Sequence, residues 1–119
     1  MKTVAIVPAY NEEKNIPRVL RVLLKCKEID QVLVVDDGSQ DRTAEKAKEM
    51  GAEVMTLEGN KGKGGAMRAG VEKTNADIVS FFDADLVNLR PEHISLLFKP
   101  VLEGGVAMSV AARDRYWGL

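Results

Sequence analysis

The chain has 119 residues, 17 basic against 18 acidic side chains for a net charge of −1, and one cysteine. Its length fits one domain, 45% hydrophobic content argues against a disordered chain, and the balanced charge lacks the basic footprint of non-specific nucleic-acid binding. One thiol rules out an internal disulfide or a cysteine zinc cluster, and no apolar run reaches the ~18–20 residues that cross a bilayer.

Apolar runs alternate with segments of helical period. Thr3 to Val7 is rich in β-branched residues and predicts a strand stopped by Pro8. The start Met1-Lys2-Thr3-Val4 is too short for a signal peptide, so a cytoplasmic setting is expected, the cytoplasmic face of a membrane included. Ile16, Val19, Leu20 and Leu23 follow helical spacing, with Asn15 as N-cap and Pro17 confined to the first turn. Gln31 to Val35 predicts a second strand. Asp41 is placed to cap a second helix, which Gly51 closes. Glu53 to Leu57 predicts a third strand. Gly59 to Gly65 reads as a glycine- and lysine-rich loop before a helix ending near Lys73. Ile78 to Phe82 is the most hydrophobic strand. Pro91 starts a last helix bearing Ile94, Leu97, Phe98, Val101 and Leu102, which Pro100 should end or kink. Gly104-Gly105 lead into a strand over 106–111.

Short apolar strands alternating with amphipathic helices predict an α/β domain, a mostly parallel sheet with helices on both faces. Ligands of such sheets bind outside the carboxyl ends of the strands. Three strands here end in polar segments, 8–13, 36–41 and 83–85.

Asp83-Ala84-Asp85 offers two carboxylates one residue apart, suited to a hard divalent cation or to turn capping. In Asp36-Asp37-Gly38, a carboxylate can accept from a ribose hydroxyl or a base N–H; the alternative is that Asp36 is buried and structural and Asp37 forms an Asx-turn. If Asp37 is functional, Asp37→Ala should weaken affinity with little change in stability. Tyr10 could stack on a flat base, and Glu12 could hold a ligand or favour a helix N-terminus. Gly59 to Gly70 suits a phosphate cradle or a solvated basic loop, with Lys61, Lys63 and Arg68 adding charge. It is neither a Walker A loop, since Gly65 stands in the lysine's place, nor a dinucleotide fingerprint, since Met67 replaces the third glycine. His93 reads as a solvated helix residue and Cys26 as packing.

Four segments occur in order: Val7-Pro8-Ala9-Tyr10-Asn11-Glu12, Val35-Asp36-Asp37-Gly38-Ser39-Gln40-Asp41-Arg42-Thr43, Asn60-Lys61-Gly62-Lys63-Gly64-Gly65-Ala66 and Phe82-Asp83-Ala84-Asp85. Together they resemble the N-terminal, donor-binding half of family 2 glycosyltransferases of the GT-A fold, in the manner of the dolichyl-phosphate sugar and glucosyl-3-phosphoglycerate synthases. The resemblance implies a UDP- or GDP-sugar donor and inverting transfer to an acceptor. Pro8, Tyr10, Glu12 and Asp37 would hold base and ribose, Lys63 and Arg68 would lie near phosphate, and Asp83 and Asp85 would bind Mg²⁺ or Mn²⁺. Arg113 resembles the arginine that follows the fifth strand in this family. The acceptor site and general base are expected to lie beyond this chain, Asp114 being poorly placed for that role. Such a chain alone would be inactive, with the aromatic pair Tyr116-Trp117 favouring self-association. The alternatives are a nucleotide-binding scaffold or a sugar nucleotidyltransferase, whose glycine-rich loop would follow the first strand.

Overall fold

The computed structural model describes the backbone of residues 2–102, 109–112 and 115–118 and the side chains of residues 2–96. Strands β1 (Thr3–Ala9), β2 (Gln31–Asp36), β3 (Glu53–Thr56), β4 (Ile78–Phe82), β5 (Ser109–Ala112) and β6 (Arg115–Gly118) form one sheet in the order β3-β2-β1-β4-β5-β6. The first five strands in that order run parallel, and β6 returns antiparallel on β5. This is the mostly parallel α/β sheet expected. β6 is an addition to it, because its four residues carry no alternation to read. Residues 106–108 of the predicted last strand, together with Arg113 and Asp114, lie outside the described residues, as do the side chains of Tyr116 and Trp117.

The alternation of β1 divides the core between the two faces. Ala5, Val7 and Ala9 pack with α1 (Ile16–Leu23), α2 (Thr43–Met50) and Ile94 of α4 (Pro91–Leu102). Val4 and Ile6 face the other way, against Ala66, Met67 and Ala69 of α3 (Gly62–Lys73). Ile16, Val19, Leu20 and Leu23 of α1 are fully buried, each worth about 1.5–3 kcal/mol over exposure, and Val22 beside them is partly buried.

Several boundaries differ from expectation for physical reasons. β1 continues through Pro8, which pairs in register with Val35. Ala9 O accepts from Asp37 N at 2.8 Å, so alternation turns Pro8 toward β4, whose pairing has already ended at Ile6–Phe81. A missing N–H costs nothing there. β3 ends at Thr56, one residue early. α3 begins at Gly62, so half of the glycine-lysine loop is the helix's first turn. α4 runs past Pro100 to Leu102. Asn15 sits at the cap position of α1 without a capping side-chain bond, whereas Pro17 occupies the first turn and Gly51 closes α2 at φ 97° as expected.

Gly70 lets α3 lie directly on the sheet. A Cβ there would stand 2.8 Å from Ile6 Cγ2 and 3.1 Å from Val35 Cγ2, both on fully buried side chains. Alanine gains about 1 kcal/mol of helix propensity, but overpacking costs about 1–3 kcal/mol. Gly70→Ala is therefore expected to lower the denaturation midpoint; a higher midpoint would mean that α3 can lift off freely.

Candidate functional site

β1, β2 and β4 all end on the same edge, and a cleft of about 370 Å³ opens there. Pro8, Ala9, Tyr10 and Glu12 line it from the end of β1, and Asp37 from the end of β2. Asn60, Gly62, Lys63 and Ala66 line it from α3 and its approach, and Asp83, Ala84 and Asp85 from the end of β4. Seven of the eight residues singled out for the site thus meet around one cavity. The eighth, Arg68, stands exposed on α3, its Nε 3.6 Å from Glu72 Oε1. Ala66 and Ala84 carry no signal in the sequence beyond small size; their short side chains leave the cleft open.

The first wall is cross-linked to the second. Asn11 takes a left-handed backbone (φ 53°), which asparagine tolerates. Its N–H donates to Ser39 Oγ (2.8 Å), and its Oδ1 accepts from Gln40 N (2.9 Å). Glu12 N donates to Thr43 Oγ1 (2.8 Å), and Glu13 N to Asp41 Oδ2 (3.2 Å). The Glu12 carboxylate accepts from Asn15 Nδ2 at 3.0 Å, and Tyr10 projects into solvent at 43% exposure.

Asp41 caps α2 from one position earlier than the cap residue, accepting from Thr43 N at 2.9 Å and from the Thr43 hydroxyl. Burial pushes its pKa up, but the hydrogen bonds from Thr43 and from Glu13 N outweigh it and hold the carboxyl below its ordinary value of 3.8. A depressed folded pKa contributes stability that is present above the unfolded value and lost as pH falls through the folded one. We expect acid destabilisation from this group below about pH 3.8, and Asp41→Asn to remove that part of the pH–stability profile. Unfolding midpoints measured across that range in both proteins check it.

The two acids after β2 divide their work. Asp36, 3% exposed, accepts from Ser39 N at 3.0 Å, three residues on, and so braces the turn through Gly38. Asp37, also 3% exposed, takes Lys61 N on Oδ1 (2.8 Å) and Gly62 N on Oδ2 (2.9 Å). Its carboxylate thus fastens the start of α3, and only its remaining lone pairs are left for other donors. The expectation of an affinity effect without a stability effect does not survive these bonds. Gly38 (φ 82°) lies against the next loop, where a Cβ would come 3.1 Å from Gly59 O.

Across the cleft Lys63 Nζ is paired with Asp83 Oδ1. The lining carries four carboxylates, those of Glu12, Asp37, Asp83 and Asp85, against the single ammonium of Lys63. An anion entering this space meets more negative than positive charge. Among the described residues no three His, Cys, Asp or Glu side chains converge as a metal cluster. Two carboxylates flanking Ala84 nevertheless fit Mg²⁺ or Mn²⁺, which take one or two carboxylates and complete their shell with water and phosphate oxygens.

The remaining candidates are structural. Burial, and after it the bond to Glu28 Oε1 (2.9 Å), push the Cys26 thiol up to about 11, which keeps it a thiol rather than a nucleophilic thiolate at neutral pH. His93 Nδ1 accepts from Arg90 N at 3.3 Å, at the start of α4. No described helix is long and apolar enough to cross a membrane.

Compared with known proteins, residues 4–118 match the model of Glycosyl transferase family 2. The chain is 45% identical over 94 residues to the 4,4'-diaponeurosporenoate glycosyltransferase of Staphylococcus haemolyticus, covering 74% of this chain and 25% of that protein. It is 33% identical over 124 residues to the undecaprenyl-phosphate 4-deoxy-4-formamido-L-arabinose transferase of Proteus mirabilis, covering 96% of this chain and 38% of that one. Glucosyl-3-phosphoglycerate synthase from Mycobacterium tuberculosis, solved in complex with Mn²⁺ and UDP-glucose, superposes with a TM-score of 0.79 at 32% identity, covering 87% of this chain and 40% of that one. The chain spans less than half the length of these relatives.

Proposed function

The chain belongs to glycosyl transferase family 2, and from that premise we propose that its cleft binds the nucleoside-diphosphate end of a sugar donor with a divalent cation, for inverting transfer to an acceptor hydroxyl. The observation that carries this reading is the meeting of Tyr10, Asp37, Lys63, Asp83 and Asp85 around one cavity at the carboxyl edge of a parallel sheet. Tyr10 offers a flat face for a base, and Pro8 of β1 lines the same cleft. Glu12 and the free lone pairs of Asp37 are acceptors for base or ribose N–H and O–H groups. The α3 N-terminus and Lys63 face the diphosphate, where the helix dipole favours negative charge. Asp83 and Asp85 would hold Mg²⁺ or Mn²⁺. Bound there, the ion neutralises charge on the departing nucleoside diphosphate. Arg68 keeps its surface pair and takes no part in this arrangement. The acceptor wall and general base are assigned to the length that the relatives have beyond the matched segment.

The solved relative bound to Mn²⁺ and UDP-glucose makes a uridine donor the first probe. Calorimetric titration of the chain with UDP and with GDP, each with Mn²⁺, tests the reading. Saturable one-to-one binding of either supports it; no heat with either nucleotide, from a chain that unfolds cooperatively, removes it.

A further inference from the structure

The Asp83 carboxylate already has a cation in the free protein. Lys63 Nζ reaches it from the first turn of α3, across the cleft from the end of β4. The Asp83 side chain is 15% exposed and that of Lys63 58%, so the acid is fixed in the wall while the base arrives from the solvent side. Asp37 and the left-handed Gly62 (φ 82°) hold the helix start that aims Lys63 this way. A competition for Asp83 arises only if the proposed function holds, because that function puts a second cation on the same carboxylate. A lysine ammonium and a divalent ion on one carboxylate repel each other, so an ion arriving at Asp83 weakens its pair with Lys63. Lysine's four-carbon stem leaves its head free to turn toward another anion.

We propose that Lys63 is an internal stand-in for the metal, which exchanges Asp83 for the donor's diphosphate when cation and donor bind together. Metal alone displaces the ammonium and leaves it beside a divalent charge with nothing to meet. Diphosphate alone faces the cleft's carboxylates while Lys63 is engaged elsewhere. Together each removes the other's obstacle: the metal frees Lys63, and the phosphates receive it. Lys63 is then a coupling residue that makes cation and nucleotide bind cooperatively, and the coupling is reciprocal.

The test measures Mn²⁺ alone, by the paramagnetic resonance signal of the free ion, and UDP with and without Mn²⁺, by calorimetry. Native chain, Lys63→Gln and Lys63→Arg are compared, with thermal unfolding to confirm that each folds. Loss of the pair should let Lys63→Gln bind Mn²⁺ alone roughly fivefold tighter, the upper range for a partly exposed ion pair. Its UDP affinity in Mn²⁺ should fall, so the factor by which metal aids nucleotide shrinks from both ends. Lys63→Arg should keep the native weakness for Mn²⁺ alone. If Lys63→Gln binds Mn²⁺ no tighter than the native chain while UDP and Mn²⁺ still bind together, the exchange is wrong and the donor site stands. If Mn²⁺ fails to bind in every protein, even with UDP, the exchange falls along with the metal site beneath it.

Discussion

Chelation of divalent cations is expected to weaken UDP binding by roughly tenfold or more, about 1.4 kcal/mol at the least. A diphosphate brings two to three negative charges into a cleft that holds four carboxylates and one ammonium. Asp37 is partly neutralised by two backbone N–H groups, but Asp83 and Asp85 stand at the cleft's end with Lys63 as the one lysine on the lining. Asp83→Asn removes one of those charges. It should bind UDP less dependently on Mn²⁺ and, at saturating Mn²⁺, more weakly than the native chain. Equal UDP affinity with Mn²⁺ and with chelator would sink the metal role of both aspartates.

Asp37→Ala is expected to lose stability and donor affinity together. Each carboxylate oxygen accepts one backbone N–H, and bonds to a charged group are worth about 1.5–3 kcal/mol each. Truncation removes both, leaving Lys61 N, at the mouth of α3, without that acceptor and Gly62 N with Asn60 Oδ1 (2.9 Å) alone. A fall of about 3 kcal/mol in unfolding free energy is the expected scale. Affinity falls with it because the same helix start carries Lys63 and Gly62 into the cleft. Asn offers one oxygen and turns an amide N–H₂ toward a backbone donor, so Asp37→Asn should recover only part of the loss. A variant that unfolds like the native chain but no longer binds nucleotide would assign Asp37 to the ligand alone.

The alternation of β-branched runs with helical spacing makes the parallel sheet legible, and the polar segments that end its strands make the candidate site legible, because period and strand ends are local signals. The features that escape such a reading depend on distant partners. The strand past Pro8 exists because β4 stops short on the side where the proline lacks its N–H. The first turn of α3 forms over glycines because Asp37, far off in sequence, accepts its N–H groups. Adjacent acids announce that one of them has business beyond a turn, but spacing cannot say which. Here Asp36 makes the turn and Asp37 the long reach. Arg68 has the charge of a phosphate ligand, yet its position on α3 turns it toward Glu72 rather than the cleft.

The four bonds between segments 11–13 and 39–43 bear on how such a site can be rebuilt. Asn11 with Ser39 and Gln40, Glu12 with Thr43, and Glu13 with Asp41 each join one segment's backbone to the other's side chain or the reverse. Neither segment holds its shape with its own atoms alone. A graft that transplants the stretch around Tyr10 into another scaffold, without the stretch from Ser39 to Thr43, would carry the recognition surface and leave its splint behind. Swapped as a matched pair, the two segments would travel with their splint, and the nucleobase contact proposed for Tyr10 would be one to redesign by exchanging both rather than single residues.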